Sequence, residues 1–581
     1  MTEASASSAT KTPNSLFARL GWSVLIVVTL FVCYFTHLGA LGFVGPDEPR
    51  YAWIARAMAE TGDWVTPRLY GQPWFEKPPL FYWGAAASFK LFGVSEAAAR
   101  LPSAICALLA TLALGWLAWR IYSAETARWL LLLLPTTVGM IGFSHAAATD
   151  MPFSGIVTIA MVCAAVVLRL LPRPPELTVT ANSAAPGHAQ SSPQPSARRT
   201  PWLALLLFGF FLGLAVLAKG PAGIVLCGGA VLCWALITKR WRDAFRLLHP
   251  VAILGFCVTA LPWYILCARR NPDFFRVFII EHNFKRYLTP EFQHIQPFWF
   301  YIPIVLAALL PWAFLFFWAA VSGASKLWRS RQLDHPTWLL VCWSGFTILF
   351  FTISKSKLPG YILPAIPPLA LLTSQAIKTC IRQPKASRLF LSVAGATLVL
   401  LGVLVGLFSA SIPLVTDVVP PPGLVVFVVL GVLGGVTAIG LALFYRPSKS
   451  LAAAVITVLA LIISSASSLR ELDAGVSARP SVVSVLRNLT AEQAAAATTF
   501  KLRRSYKYQV DFYLHRETQE WSPENGGHSI IFTSYRNWKE LQALGAHCAD
   551  YVAFPAVALC EGPQAEPILL RGGRFRGGKP Q

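Results

Sequence analysis

The sequence predicts a polytopic α-helical membrane protein with a small C-terminal α/β domain. Two observations predict this fold class. Of the 581 residues, 55% are hydrophobic and only 13% are charged, whereas about 25% of the residues of a typical soluble domain are charged. Apolar segments close to the length of about 20 residues that a transmembrane helix needs recur along the chain as far as residue 468.

About thirteen apolar segments are predicted to be transmembrane helices, and together they define a membrane domain over residues 20–468. The first is longer than the apolar core of about 7–15 residues in a signal peptide, so we expect a retained span. Residues 1–19 are expected to be cytoplasmic, and an odd number of spans then places the C-terminus outside. The segments are 20–41, 99–120, 126–146, 152–171, 202–218, 222–238, 250–267, 298–321, 337–353, 361–377, 388–411, 423–445 and 450–468.

The formal net charge of +22 is divided by membrane side. Basic residues follow alternate spans, as the positive-inside rule requires of cytoplasmic loops. This division excludes a nucleic-acid-binding protein. Three predicted outward loops, 42–98, 268–297 and 354–361, are basic as well. Their cations are either tolerated surface charge or partners for anionic groups at the outer face, since Arg and Lys are the usual partners of phosphate.

Residues 469–581 carry more charge and no long apolar segment, which predicts a small α/β domain on the outer side. Tyr508–Leu514 and Ser529–Thr533 are interpreted as short strands, and Asn537–Leu544 as a short helix. The tail Arg571–Gln581 is expected to be a disordered basic end.

Two cysteines of this outer domain differ from the others, most of which lie singly within spans. Cys548 and Cys560 would be exposed to an oxidising compartment, where disulfides form. A disulfide between them is therefore a hypothesis, which peptide mapping under non-reducing conditions tests.

Asp47 lies near the start of the first outward loop, and an amphipathic helix is predicted to follow, with Gly62 as its C-terminal cap. Its apolar face would contain Tyr51, Ile54, Ala55 and Met58. Asp47 is either the N-cap of this helix or a carboxylate that faces a ligand. The two interpretations are compatible, because a capping carboxylate at a membrane surface still has a free oxygen.

Three further segments contain charged residues at outer boundaries of the spans. Glu76 and Lys77 precede a rigid Pro-Pro step, which fixes the direction of their side chains. Asp150 lies between two apolar segments, where a carboxylate is costly unless it has a partner; its alternative role is the N-cap of the next span. Lys219 lies at an outer helix junction and follows the same reasoning.

Two loops complete the set of candidate ligand-binding residues. The loop around Glu281 and His282 supplies groups that bind hard divalent cations, and Glu76 with His282 is the candidate pair for a metal such as Zn²⁺. The segment 354–361 offers lysines, hydroxyls and Tyr361 together. Whether a metal is required remains open at this point.

In their order along the chain, these motifs resemble the integral-membrane glycosyltransferases of the GT-C fold. The motifs are Asp-Glu-x-Arg-Tyr at 47–51, Lys-Pro-Pro-Leu-x-Tyr-Trp at 77–83, Arg-Leu-Pro at 100–102, Thr-Asp-Met-Pro at 149–152 and Ser-Lys-x-Lys-Leu-x-x-Tyr at 354–361. The sequence is most similar to the lipid A 4-amino-4-deoxy-L-arabinose transferase family, which is related to the protein O-mannosyltransferases. The resemblance covers residues 15–470, and residues 469–581 fit the family's periplasmic domain by position.

The resemblance implies transfer of aminoarabinose from undecaprenyl phosphate to a phosphate of lipid A, with resistance to polymyxin and other cationic peptides. It implies a multi-pass protein of the bacterial inner membrane, active as a monomer, with its site facing the periplasm. It assigns catalytic roles to Asp47 and Asp150 and a place near the donor phosphate to Lys77. The full set of predicted substrate contacts is Glu48, Arg50, Tyr51, Glu76, Lys77, Tyr82, Lys219, Arg270, Lys285, Arg286, Lys355, Lys357 and Tyr361.

Two rival functions are weighed against this one. A related transferase with another sugar or acceptor, such as a mannosyltransferase acting on protein, would carry the same motifs. A lipid-phosphate flippase or transporter would favour inverted repeats and charged or broken segments at mid-span. Here the charges lie at the outer boundary, which favours a transferase.

Overall fold

The computed structural model describes residues 13–171, 201–278, 281, 295–330, 333–415, 422–487, 489–524, 530–534, 537–548 and 558–561. Residues 13–476 are largely helical, with 3₁₀ segments at Arg246–Leu248 and Pro359–Ala365. The helices are α1 (Pro13–Phe35), α2 (Asp47–Thr61), α3 (Leu80–Phe92), α4 (Glu96–Ile121), α5 (Ala124–Leu133), α6 (Val138–Ser144), α7 (Asp150–Val167), α8 (Trp202–Lys219), α9 (Ala222–Thr238), α10 (Trp241–Phe245), α11 (Pro250–Arg270), α12 (Tyr301–Ala308), α13 (Ala313–Ser330), α14 (His335–Ile353), α15 (Ile366–Ile381), α16 (Pro384–Val415), α17 (Pro422–Leu443) and α18 (Pro447–Val476).

The predicted spans coincide with these helices. In the described part of the chain, nine helices are long and apolar enough to cross a membrane, and up to eleven if each of two bent pairs is one span. The bent pairs are α5 with α6, at 60°, and α12 with α13, at 114°. The other two predicted segments correspond to the shorter apolar stretches Leu20–Phe35 and Ala222–Thr238. The polytopic helical fold is confirmed, and the count of thirteen remains a prediction.

Close contacts between helix backbones fix the positions of the spans relative to one another. A Cβ on Gly209 of α8 would lie 1.8 Å from the carbonyl oxygen of Ala252 on α11, so only glycine fits there. On the neighbouring pair, a Cβ on Gly155 of α7 would lie 2.8 Å from the carbonyl oxygen of Cys106 on α4. Small residues allow such approach where the hydrophobic effect does not drive helix association. Helices α7 and α8 therefore have defined positions, and they carry Asp150 and Lys219.

The first outer loop folds over these ends as two helices, α2 and α3, joined by a hairpin of β1 (Arg68–Leu69) and β2 (Gln72–Pro73). The prediction for α2 is confirmed, because Tyr51, Ile54, Ala55 and Met58 are all buried in one apolar cluster. Gly62 adopts a left-handed conformation with φ of 72°, and its N–H donates to the Met58 carbonyl at 3.0 Å.

The C-terminal region contains helices and a four-stranded mixed sheet whose order is β3-β4-β6-β5. Strands β3 and β4 are parallel, and the other two pairs are antiparallel. The helices are α19 (Arg479–Leu486), α20 (Ala491–Ala496), α21 (Arg504–Leu514) and α22 (Trp538–Ala543), and the strands are β3 (Thr498–Phe500), β4 (Ile530–Thr533), β5 (His547–Cys548) and β6 (Ala558–Glu561).

One element of this region was predicted wrongly. The segment Tyr508–Leu514 is part of helix α21 and not a strand. Its spacing explains the difference, because Tyr506, Val510 and Leu514, four residues apart, pack into the core of the C-terminal region, and residues four apart share one helix face. The predictions of a strand ending at Thr533 and of a helix near Trp538 are confirmed.

The strand register places Cys548 opposite Cys560 on adjacent antiparallel strands. The side chains of both cysteines are outside the part of the chain that the structure describes, so the disulfide remains a prediction. The tail Arg571–Gln581 also lies outside the described residues.

Candidate active site

Two helices begin at the predicted catalytic carboxylates. Helix α2 starts at Asp47 and α7 starts at Asp150. The preceding residues, Pro46 and Thr149, occupy the N-cap positions, and neither makes a side-chain capping bond. The alternative role of each aspartate as an N-cap is therefore wrong. Both lie in the first turn, where the helix dipole stabilises a negative charge.

Asp47 belongs to a row of alternating charges that joins two segments of the outer loop. Arg50 Nη2 lies 2.5 Å from Asp47 Oδ1 and 3.0 Å from Glu76 Oε2. Lys77 Nζ lies 3.4 Å from Glu76 Oε1. The Arg50 side chain is 5% exposed and that of Asp47 is 54% exposed. This row of charges therefore includes a buried cation, Arg50, and a carboxylate that is accessible to solvent, Asp47.

Aromatic side chains surround this buried cation. The Arg50 guanidinium carbon lies 5.3 Å from the ring centre of Tyr51 and 5.3 Å from that of Trp74. Three buried polar atoms here, Arg50 Nε, Trp74 Nε1 and Tyr82 Oη, have no hydrogen-bond partner among the described residues. Buried polar groups normally have a partner, so these three donors are available to a ligand.

Tyr51 and Tyr82, two tyrosines of this outer loop, are neutral donors. Burial, and then the negative charge of Glu76, raise the pKa of Tyr51 and of Tyr82 well above the usual value for a phenol. Both hydroxyls therefore keep their protons at physiological pH. A neutral phenol donates a hydrogen bond to an anion, which a phenolate would repel.

The second carboxylate is paired at the junction of three membrane segments. Lys219 Nζ, at the end of α8, lies 2.5 Å from Asp150 Oδ1 and 4.7 Å from the ring centre of Tyr361. A Cβ on Gly360 would lie 2.7 Å from Asp150 Oδ1, so the segment 354–361 contacts the carboxylate directly. The structure thus brings Asp150, Lys219 and Tyr361 together, whereas the sequence predicted only that Asp150 needs a partner.

A buried ion pair connects the regions of the two aspartates. Glu48, which follows Asp47, accepts hydrogen bonds from Arg100 Nη2 at 2.8 Å, from the Val44 amide at 2.7 Å and from the Ala147 amide at 2.6 Å. Ala147 lies three residues before Asp150. The Glu48 side chain is only 9% exposed and its oxygens are occupied by protein donors. These contacts make Glu48 a framework residue that ties the start of α2 to the segment before α7, and its predicted contact with the substrate remains a prediction.

An apolar cluster connects the loop that carries Glu76 to the end of α8 that carries Lys219. Phe75, next to Glu76, packs in one cluster with Leu217, which lies two residues before Lys219. Trp263 and Phe274, from α11 and the loop after it, complete the contact, and the Phe75 and Phe274 rings are 5.2 Å apart. The Glu76–Lys77 step is thereby held beside the outer end of α8.

Three other predicted cations have different surroundings. Lys357 is buried, and its Nζ donates to the carbonyl oxygens of Ser354 at 2.8 Å and Gln296 at 3.2 Å. Lys355 is exposed. Arg270 is exposed on the rim and lies 3.2 Å from Asp63 Oδ1. Their predicted contacts with phosphate remain predictions.

The predicted contacts Lys285 and Arg286 and the candidate metal ligand His282 lie outside the described residues. Glu281 is described and lies 2.8 Å from Arg276 Nη1. Glu76, the other candidate metal ligand, is paired with Arg50 and Lys77. Among the residues whose positions are described, no three His, Cys, Asp or Glu side chains are close enough together to hold a metal ion. The metal site remains a prediction.

Two aromatic residues at the site were not predicted as site residues. Trp74 is absent from the predicted substrate contacts, yet its ring lies against the Arg50 guanidinium. Tyr508, from α21, lies 5.9 Å from the same guanidinium. Arg50 and Tyr508 are more than 450 positions apart in the sequence, and a contact over such a separation cannot be predicted from local sequence patterns.

Comparison with known proteins finds similar proteins by family model, by sequence and by fold. A family profile for dolichyl-phosphate-mannose-protein mannosyltransferases matches residues 20–278. An undecaprenyl phosphate-α-4-amino-4-deoxy-L-arabinose arabinosyl transferase from Sodalis glossinidius is 32% identical over 62% of this chain and 60% of its own length. A protein of the same description from Pseudomonas aeruginosa is 28% identical over 90% of both chains.

Among solved structures, ArnT from Cupriavidus metallidurans bound to undecaprenyl phosphate matches with a TM-score of 0.71, which shows the fold. The match covers 94% of this chain and 99% of that one at 22% identity. The alignment with the Sodalis relative spans about 60% of that protein's length, and it is the Pseudomonas alignment that extends over nearly the whole chain. The chain thus has the fold of ArnT, is similar in sequence to undecaprenyl phosphate aminoarabinose arabinosyl transferases, and matches the model of the protein mannosyltransferases over residues 20–278.

Proposed function

We propose that this chain transfers 4-amino-4-deoxy-L-arabinose from undecaprenyl phosphate to a phosphate of lipid A at the periplasmic face of the bacterial inner membrane. The added ammonium group lowers the negative charge of the surface and gives resistance to polymyxin and other cationic peptides. The observation that carries the proposal is the presence of two carboxylate–cation pairs, Asp47 with Arg50 and Asp150 with Lys219, on segments that the hydrogen bond between Glu48 and the Ala147 amide ties together. The names of the relatives support the sugar and its carrier.

The cations of the site serve the leaving group. The bond between the anomeric carbon and the phosphate oxygen of the donor breaks, and the electron pair remains on undecaprenyl phosphate. We assign Lys77 and Lys219, which pair with Glu76 and Asp150, to the phosphate of this leaving group. Fixed positive charges stabilise charge that develops on the leaving oxygen. Each charge-assisted contact contributes about 1.5–3 kcal/mol.

The carboxylates serve the sugar. A phosphate of lipid A is already an anionic nucleophile at neutral pH, so it attacks the anomeric carbon without a general base. Asp47 and Asp150 instead pair with the ammonium group of the sugar and with the positive charge that develops at the anomeric carbon. Asp47 is accessible for this contact, because 54% of its side chain is exposed. Displacement of one phosphate by another in a single step inverts the anomeric centre.

The test is transfer by the purified full-length chain in lipid nanodiscs, with undecaprenyl-phosphate-linked aminoarabinose and lipid A as substrates. Mass spectrometry should show lipid A with one added aminoarabinose, and Asp150→Asn should abolish the product. Glu60→Gln is the matched control, since Glu60 is an exposed carboxylate at the far end of α2. Parallel reactions with and without a chelator decide the metal requirement. Absence of product from the wild-type chain with both substrates bound would contradict the proposal.

The family profile of the mannosyltransferases favours one alternative, a different sugar or acceptor at the same site. The same preparation supplied with a polyprenyl-phosphate mannose and an acceptor peptide distinguishes the two. Glycosylated peptide without modified lipid A would replace the proposed function with this alternative.

A further inference from the structure

Helix α21 of the C-terminal region has two apolar faces that pack against different parts of the molecule. Tyr506, Val510 and Leu514 pack inside the C-terminal region. Tyr508 and Phe512 pack instead in the cluster formed by α2, α3 and the start of α4. Because each set is spaced four residues apart, the two faces lie on different sides of one helix. The helix therefore joins the C-terminal region to the outer loop that contains Asp47.

Specific contacts fix the orientation of α21 on this loop. Tyr70 Oη donates to Asp511 Oδ2 at 2.6 Å, and Tyr513 Oη donates to Glu96 Oε1 at 2.7 Å. The rings of Phe43 and Phe512 meet edge to face at 4.9 Å. A buried aromatic pair of this kind adds to the stabilisation from apolar burial. Residues one turn before these contacts therefore have a defined position relative to the site.

Tyr508 is the residue of α21 that reaches the site, and it lies beside two guanidinium groups. The Arg50 guanidinium carbon is 5.9 Å from the centre of its ring, and that of Arg504 is 5.4 Å away. Arg504 Nε also donates to Tyr508 Oη at 3.0 Å. Arg50 is committed to Asp47 and Glu76. Arg504 makes no ion pair with any carboxylate that the structure describes.

The geometry of Arg504 suits it to an anion. Its side chain is exposed, and its direction is set by the hydrogen bond from Nε to Tyr508. The two terminal nitrogens make no hydrogen bond within the described part of the chain. A guanidinium held in this way presents a planar fork to solvent, which matches two oxygens of a phosphate. Less conformational entropy is lost on binding, because the side chain is already oriented.

We infer that Arg504 binds a phosphate monoester of the lipid acceptor, with Tyr508 as the positioning residue that orients it. This inference rests on the proposed function, because it assigns the second substrate of the same site. The donor carries a phosphate too, but its tail keeps that group at the spans and their adjoining loops, near Lys77 and Lys219. Arg504 belongs to the C-terminal region, which suits a phosphate on a large sugar headgroup. The C-terminal region is then one wall of the active site.

The test compares lipid binding by the full-length chain in nanodiscs, with no turnover required. The probes are bisphosphorylated lipid A, monophosphorylated lipid A and undecaprenyl phosphate. The variants are Arg504→Gln, Tyr508→Phe, which retains the ring and loses the hydroxyl that holds Arg504, and the matched control Arg503→Gln. Arg503 is an exposed arginine one residue earlier, and no contact of its side chain is seen within the described residues.

We expect Arg504→Gln to weaken binding of bisphosphorylated lipid A about ten-fold, the size of one charge-assisted contact. Tyr508→Phe should weaken it about three-fold, by freeing the guanidinium. Binding of undecaprenyl phosphate should not change in either variant, and Arg503→Gln should behave as wild type. The loss in Arg504→Gln should be smaller with monophosphorylated lipid A, which has one phosphate fewer to bind.

Equal losses in Arg504→Gln and Arg503→Gln would overturn the inference, since they would show general attraction by positive charge. A loss of undecaprenyl phosphate binding in Arg504→Gln would also overturn the inference, because it would show that Arg504 contacts the phosphate of the donor and not that of the acceptor. These outcomes differ from failure of the proposed function. If the proposed function fails, the wild-type protein binds both lipids but forms no aminoarabinose-modified lipid A.

Discussion

Asp47 and Glu48 are adjacent carboxylates with opposite surroundings. Asp47 is 54% exposed and, among the residues that the structure describes, forms an ion pair only with Arg50, a partner that it shares with Glu76. Glu48 is 9% exposed, and its two oxygens accept bonds from Arg100 and from two backbone amides of separate segments. One residue thus faces the site, and its neighbour lies in the framework beneath it.

The difference shows how a short helix serves both purposes. Successive residues of an α-helix point about 100° apart, so the first turn of α2 can direct one carboxylate outward and the next inward. The inward residue fixes the loop that carries the outward one. Arg100 extends this framework, because it also donates to the carbonyl oxygens of Leu38, Leu41 and Gly42.

The largest expected effect lies in the framework. Glu48→Gln leaves the Arg100 guanidinium buried without a counter-charge, which should lower the free energy of unfolding by about 3–5 kcal/mol. Thermal unfolding of the detergent-solubilised chain measures this loss. The double variant Glu48→Gln with Arg100→Met should recover part of it, because the unpaired charge is gone. An unchanged melting temperature in Glu48→Gln would show that the framework role is wrong.

Asp47→Asn should lower the activity and leave the stability of the protein unchanged. It removes a negative charge from the site without exposing a buried partner, because Arg50 keeps Glu76. Transfer should fall about 100- to 1,000-fold, equivalent to about 2.7–4 kcal/mol of transition-state stabilisation, while the melting temperature stays close to that of the wild type. Steady-state transfer rates check the loss of activity, and melting curves on the same preparation check that the stability is retained. Wild-type turnover by this variant would remove the distinction between the two carboxylates.

Lys219→Met extends the comparison to the second aspartate. It leaves Asp150 without the cation 2.5 Å away. Loss of one charge-assisted contact of about 1.5–3 kcal/mol should lower turnover about ten- to a hundred-fold. Lys90→Met, on α3, provides a control lysine that contacts Trp64 away from Asp150. Equal activity of the two variants would place Lys219 in the framework together with Glu48.

The smallest effect is a pH dependence in the contact between α21 and the outer loop. Burial raises the pKa of Asp511 above the ordinary value of 3.8, despite opposing hydrogen bonds from Thr518 and Tyr70. A carboxyl group with a raised folded-state pKa stabilises the fold at low pH, and this contribution is lost as pH rises from about 3.8 through the raised pKa.

Melting temperatures of the wild type should therefore fall across this range more steeply than those of Asp511→Asn. Each unit of raised pKa corresponds to about 1.4 kcal/mol. Identical slopes for the two proteins would mean that Asp511 is no more buried in the folded chain than in the unfolded one.

The sequence predicted features that depend on local patterns. Apolar length identified the spans, and spacing identified the buried face of α2 with its cap at Gly62. The error at Tyr508–Leu514 arose because aromatic and β-branched residues in near alternation favour a strand. The segment is helical because its two faces, spaced by four residues, are buried against different partners. Tertiary contacts outweighed the local preference.

The parts of the site that escaped prediction depend on contacts between distant segments. Glu48 and Asp47 look alike in sequence, and only the approach of Arg100 and the Ala147 amide separates their roles. The pairing of Asp150 with Lys219 was expected only as a need for some partner. Tyr508 reaches Arg50 from the other end of the chain, which neither composition nor spacing reports.

The most direct measurement of the central claim is photocrosslinking of the full-length chain with an undecaprenyl phosphate analogue that is reactive beside its phosphate. Peptide mapping should place the label within 74–83 and 354–361, and aminoarabinose-charged undecaprenyl phosphate should compete it away. A cavity of about 430 Å³ lined by apolar residues, among them Phe208, Val231, Ala252 and Phe256, provides a contrasting apolar position for the probe. Labelling confined to that cavity, with none near Lys77 or Tyr361, would contradict the account.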